Sequence, residues 1–128
     1  MSLRRLEHVL VLTDDVERTR TFYCDVLGLE VGERPQLPFP GHWLYLGGEA
    51  CVHVAERAAY EAHASRLGLE WVSGPVDHLA FAASDPGALA ARLDAAGIPV
   101  VANDVSALGI RQLFVLDPNG VRIELNVS

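Results

Sequence analysis

The chain repeats itself. His8 and His78 stand 70 residues apart, and so do Glu7 and Asp77, and Asp15 and Asp85. Toward the end of each half the offset becomes 71. There "WLYLGGEACVHV" aligns with "FVLDPNGVRIEL", so Trp43 matches Phe114, Val52 matches Ile123 and His53 falls on Glu124. The glycines placed to stop a helix, Gly28 and Gly97, differ by 69, a slip of one residue. A period of this length marks a duplicated supersecondary unit, and it constrains the fold before any single residue is interpreted. The middle of each half matches least, because the loop carrying Pro35, Pro38 and Pro40 has no clear counterpart.

Each copy reads as the same series of elements. Residues 5–12 predict an apolar strand. "TDDVERTRTFYCDVLG" predicts a helix with Thr13 or Asp14 as N-cap, apolar positions at 16, 22, 23, 26 and 27, and Gly28 as its stop. A short strand near 29–34, the proline loop, a strand at 42–47, a tight turn at Gly47-Gly48 and a strand at 50–55 follow. Residues 57–74 read as a linker, with weak helical character around 57–66. The second copy begins at "VDHLAF", a strand. Ser84 then caps a helix with Pro86 in its first turn and Gly97 as its stop. After a further strand, "IRQLFVLDPNGVRIELNV" predicts strand, DPNG turn and strand. Each half is β-α-β-β-β, and the fold class is α+β. With 128 residues, half of them hydrophobic, the chain suits one domain and not two independent ones. Module one covers about 1–56 and module two about 75–128. Two such half-sheets facing each other would make a cup of mixed sheets, with the helices on its outer face.

Charge and composition exclude several partners. The formal charge is −7 and the basic residues are scattered, which is a poor surface for nucleic acid. No apolar run approaches the ~20 residues that span a bilayer, so no membrane partner is expected. "MSLRRLEHVL" has no long apolar core and reads as the start of a strand, not as a signal peptide. Cys24 and Cys51 lack metal-type spacing and read as reduced thiols, which suits a cytoplasmic protein.

The repeat pairs four potential metal ligands: His8 with His78, and His53 with Glu124. Each precedes an apolar residue (Val9, Leu79, Val54, Leu125), and neighbours on a strand face opposite ways. If the apolar members pack under the helices, the three histidines and Glu124 face the other side and converge on one ion. Imidazole and carboxylate donors suit Zn, Ni, Fe, Co or Mn. Such a set on rigid strands leaves coordination positions open for substrate. Taken alone, a histidine in an apolar strand is ordinarily a core or edge residue. Glu124 alternates with Arg122 and Asn126 as any half-exposed strand would. The duplication requires coincidence to explain two matched pairs.

With the duplicated pattern, "HVLVLTDDVERTRTFYCDVLGLEV", "VDHLAF" and the ending "DPNGVRIEL", the chain resembles the vicinal oxygen chelate superfamily over essentially its whole length. That superfamily includes glyoxalase I, extradiol dioxygenases, methylmalonyl-CoA epimerase, and fosfomycin and bleomycin resistance proteins. The resemblance implies metal ligands at His8, His78 and Glu124, and a fourth at His53. His53 is a departure, because glyoxalase I carries a carboxylate there and the epimerases a glutamine. Glyoxalase-type proton transfer then leaves Glu124 as the base. Epimerase chemistry needs a base on each face, and His53 would be the second. The leading reading is a divalent-metal enzyme with lyase or isomerase chemistry on a small substrate chelated through vicinal oxygens. The alternatives are an Fe(II) extradiol dioxygenase, in which His53 stands off the metal, and a non-catalytic drug-binding protein. The resemblance also implies a homodimer, with the site within one chain or across two.

The substrate side is less marked. Trp43 and Tyr45 share a strand face and Phe114 is the repeat mate of Trp43; they line the cup or belong to the core. Phe39 sits on the proline-stiffened loop as a candidate pocket rim. Arg111 and Asn103 are placed to hold an anionic or oxygenated group, although Arg111 equally suits a solvated edge. His42 and His63 read as solvated. Cys51 is expected to share the face of His53 and to pack there.

Overall fold

A computed structural model describes residues 6–66, 78–105 and 109–127. It forms two compact units, residues 1–73 and 74–128. The first contains β1 (Val9–Thr13), α1 (Val16–Thr21) continuing into a π-helical segment (Phe22–Val26), β2 (Glu30–Gly32), β3 (Gly41–Leu46), β4 (Glu49–Glu56) and α2 (Arg57–Arg66). The second contains β5 (His78–Ala83), α3 (Pro86–Ala95), β6 (Val101–Val105), β7 (Ile110–Leu116) and β8 (Arg122–Val127). The first sheet runs β1-β4-β3-β2 and the second β5-β8-β7-β6. In both, the outer strand that opens the unit lies parallel to the last strand, and the other pairs are antiparallel. The fold is α+β, and each unit is one βαβββ module.

Register carries the repeat down to single residues. Leu10 and Trp43 flank His53 across β1-β4-β3. Ala80 and Phe114 flank Glu124 across β5-β8-β7 in the same way. Alternation then decides the faces. Val11, Leu44, Val52 and Val54 are buried with Phe22, Tyr23, Val26 and Leu29. Leu113, Ile123 and Leu125 are buried with Leu89 and Leu93 in the second unit. A core on one side of each sheet leaves the opposite face for polar work.

The caps correct the expected helix starts. Asp15, not Thr13 or Asp14, caps α1, its Oδ1 accepting the Arg18 N–H at 2.9 Å. Asp85, not Ser84, caps α3 by accepting the Ala88 N–H at 3.2 Å, from a left-handed backbone at φ 53°. An N-cap accepts from the amide two or three residues on, and each aspartate meets the amide three residues on. Thr13 is instead the buried end of β1; its hydroxyl accepts from the Asp15 N–H and from the Thr19 hydroxyl, both at 2.9 Å.

The one-residue slip between Gly28 and Gly97 also has a structural counterpart. The path from cap to stop is one residue longer in the first unit, and that helix closes with a π-helical segment. A single π turn is how a helix accommodates an extra residue without turning its later side chains off their face. Both stops take positive φ, 88° at Gly28 and 68° at Gly97.

Beyond β4 the chain enters α2 directly, so the first part of the expected linker is a helix. The remainder of the linker and Asp77 lie outside the described residues.

Candidate functional site

The polar face of the first sheet carries a stack of three rings. His53 on β4 lies between His8 and Trp43. Its centroid is 3.9 Å from that of His8, the planes tilted by 12°, and 4.1 Å from that of Trp43, tilted by 8°. Cross-strand pairing of Trp43 with His53 fixes the inner contact. His8, just before β1, supplies the outer one. Stacking occupies ring faces, whereas imidazole lone pairs lie in the ring plane, so the nitrogens remain usable at the ring edges.

Hydrogen bonds select which nitrogens those are. His53 Nε2 donates to the Ala50 carbonyl at 3.1 Å, which leaves the Nδ1 lone pair free. His8 Nδ1 bonds the Glu7 carboxylate at 3.1 Å, which leaves Nε2. A second partner that fixes ring orientation in this way is the usual support of a metal-ligating histidine. Burial, and after it the neighbouring His8, hold His53 below the ordinary imidazole range, which favours its neutral form.

The second sheet holds Glu124 by side-chain amides. Gln112 Nε2 donates to Glu124 Oε1 at 2.8 Å, and Asn126 Nδ2 donates to Oε2 at 3.3 Å. Asn103 Nδ2 in turn donates to Gln112 Oε1 at 2.9 Å. Each oxygen of the Glu124 carboxylate thus accepts an amide hydrogen bond, which orients the group on its strand. His78 opens β5, its backbone registered with Arg122. Among the described residues no three His, Cys, Asp or Glu side chains form a metal-sized group. The donors themselves, neutral imidazole edges and an oriented carboxylate, fit a borderline divalent ion.

The remaining candidates have definite local partners. Tyr45 donates its hydroxyl to the Glu33 carbonyl at 2.6 Å, and its ring lies against Gly32, where a Cβ would meet it at 2.5 Å. Phe39 packs edge-on to Tyr60 at 5.3 Å and beside His63 at 5.4 Å. Phe114 is half-buried beside Glu124. Arg111 is exposed and pairs with Asp104 at 3.6 Å, the edge position that was its other reading. Asn103 reaches Gln112 and, through it, Glu124.

Two expectations are corrected. His42 is not free in solvent: its Nε2 bonds Glu17 at 2.9 Å, and that bond, ahead of the one from Arg20, holds Glu17 below its usual carboxylate range. His63 lies half-buried on α2 against Phe39. Cys51 is the unpaired residue of a β-bulge, since Leu44 pairs Val52 while Tyr45 pairs Ala50. Burial pushes both thiols up, Cys24 and Cys51 alike, away from nucleophilic use.

Sequence reasoning passed over Gln112, Asn126 and Arg34. Arg34 follows β2 and donates through Nη2 to the Phe39 carbonyl at 2.7 Å. Its guanidinium sits 5.4 Å from the Phe39 ring centroid.

Comparison with known proteins shows the family and the fold. Residues 5–125 match the family model described as Glyoxalase/Bleomycin resistance protein/Dioxygenase superfamily. A curated relative, Glyoxylase I 4 of Arabidopsis thaliana, is 33% identical over 129 residues, covering 98% of this chain and 71% of its own length. The mitochondrial methylmalonyl-CoA epimerase of Bos taurus is 51% identical over 41 residues, 32% of this chain and 22% of its own length. A solved glyoxalase family protein from Bacillus anthracis shares the fold at TM-score 0.73 and 23% identity, covering 100% of this chain and 98% of its own.

Proposed function

Because the chain belongs to the Glyoxalase/Bleomycin resistance protein/Dioxygenase superfamily, we propose that it is a divalent-metal enzyme with lyase or isomerase chemistry. His8, His53, His78 and Glu124 are its ligands, and its substrate is a small molecule chelated through vicinal oxygens. The observation that carries this reading is the matched register. His53 with Leu10 and Trp43, and Glu124 with Ala80 and Phe114, occupy equivalent places in duplicated sheets.

A bound divalent ion would supply Lewis-acid stabilisation of the oxyanion that forms when a proton leaves the carbon beside a carbonyl. The protein's own residues do the rest. Glu124 is the base that takes that proton, and Gln112 and Asn126 aim its two oxygens. His53, neutral because burial opposes its protonation, offers a lone pair either as ligand or as the second base of an epimerisation. Trp43 fixes the plane of His53 and presents an apolar wall beside it.

Elemental analysis of untagged protein tests the reading. About one transition-metal ion per chain is expected in the wild type, by the ligand count of such sites. His8→Ala and His78→Ala should each lose it. Glu124→Gln should lower turnover on a 2-oxo hemithioacetal or 2-methyl thioester panel by roughly 10²-fold or more, the scale of a lost general base. Full activity in that variant sinks the lyase or isomerase assignment.

A further inference from the structure

We propose that Arg34 forms a carboxylate-binding subsite beside the His8–His53–Trp43 stack, so that the substrate carries a carboxylate as well as its chelating oxygens. This deepens the proposed function and rests on that face being the substrate face. Two observations place the residue there. Arg34 lies two residues beyond Gly32, which pairs with Trp43 across β2 and β3. Its Nη2 holds the Phe39 carbonyl, which ties the guanidinium to the proline-rich loop that follows β2.

The chemistry of the group then asks for an anion. Arg34 is half-buried, and its Nε is fully buried with no hydrogen-bond partner. Among the described residues no carboxylate lies within ion-pair distance of it, although the chain carries an excess of acids. Glu7, beside the ring stack, is bonded to His8 at 3.1 Å. A partly desolvated cation without a counter-charge is costly, and an unsatisfied buried donor calls for a partner. A guanidinium fork matches the planar two-oxygen geometry of a carboxylate. The Phe39 ring lies 5.4 Å from the guanidinium carbon, and with the Phe39 carbonyl it restricts the Arg34 side chain, which lowers the ordering cost of that match.

The test uses the full chain, stripped of metal, titrated with malonate and with the neutral isostere malonamide. Wild type should bind malonate at least tenfold more tightly than malonamide, and R34Q should lose that preference while its circular dichroism is unchanged. Protection of Arg34 from phenylglyoxal by malonate and not by malonamide, mapped by peptide mass spectrometry, reads the same contact without a substitution. R34Q binding malonate as wild type does, or phenylglyoxal reaching Arg34 equally with either compound, overturns the subsite. A parallel cobalt(II) titration read by its visible spectrum keeps the two ideas apart. Cobalt bound equally by wild type and R34Q, with no malonate preference in either, overturns Arg34 and leaves the metal reading. An Arg34-dependent malonate preference without cobalt binding does the reverse.

Discussion

Glu124 shows how neighbouring side chains orient one carboxylate on a strand. A glutamate on a strand has three side-chain torsions before its oxygens, and Gln112 and Asn126 restrict them by donating one amide to each oxygen. Gln112→Ala should therefore keep the fold and weaken zinc binding by about 10–100-fold, as loss of an orienting partner does. Competition against a chromogenic chelator measures it, and an unchanged affinity would remove Gln112 from the site. His53 makes a pH prediction for the metal-free protein. Its folded pKa lies below the ordinary 6.5, so the unfolded chain binds the proton at higher pH than the folded one. Its contribution to stability is complete above that value and declines as pH falls through the window beneath it. Urea midpoints collected between neutral and mildly acidic pH should show this decline, and His53→Phe should flatten it. The ligand candidates were legible because spacing alone pairs His8 with His78 and His53 with Glu124. Gln112 was not, because its value comes from standing across β7-β8 from Asn126 and beside Glu124, a register no spacing rule displays. Arg34 was hidden for a different reason: its segment lacks a repeat mate, so duplication could not point to it.

The elements were legible where local chemistry alone sets them. Gly47-Gly48, both at positive φ, close the β3-β4 hairpin, and the Gly28 and Gly97 stops fall where their sequences place them. Element starts were less legible, because Thr13, Asp14 and Asp15 are all able caps and only the position of the first free amide chooses among them. That choice is testable. Asp15→Ala should cost about 1 kcal/mol, the usual worth of a satisfied N-cap. Ser84→Ala should stay within about 0.5 kcal/mol, as a surface change away from such a feature does. Asp85→Gly should be nearly neutral, since glycine is a tolerated cap and removes the cost of a left-handed φ of 53°. Urea unfolding of the three variants settles the ranking, and a costly Ser84→Ala would restore the start read from sequence. The π-helical close of the first helix belongs to this scale as well. The slip of one residue was visible in the offsets, but a gap in an alignment does not say whether a loop lengthens or a helix widens.

At the scale of the molecule, duplication lets the packing of each sheet be tested apart from the proposed role of its polar face. Each unit buries its own apolar face, so a substitution on a polar face should leave both cores intact. Ligand binding adds stability by mass action, RT ln(1 + [L]/Kd), which is about 2.7 kcal/mol when free ion stands at 100 times Kd. If one ion is held by ligands from both modules, that increment must vanish when either module is altered, although the altered residues belong to different cores. His53→Ala in the first unit and Glu124→Ala in the second should therefore melt close to the wild type in chelator, and neither should gain stability when zinc, nickel or cobalt is added. The double variant should behave as either single one does, because the second substitution removes nothing that remains. Independent ions in the two units would give the opposite pattern, with each single variant keeping part of the shift and the double losing all of it. Differential scanning calorimetry with and without the ion distinguishes these cases. A partial shift retained in both single variants would break the shared-ion reading while leaving the duplicated fold as it stands.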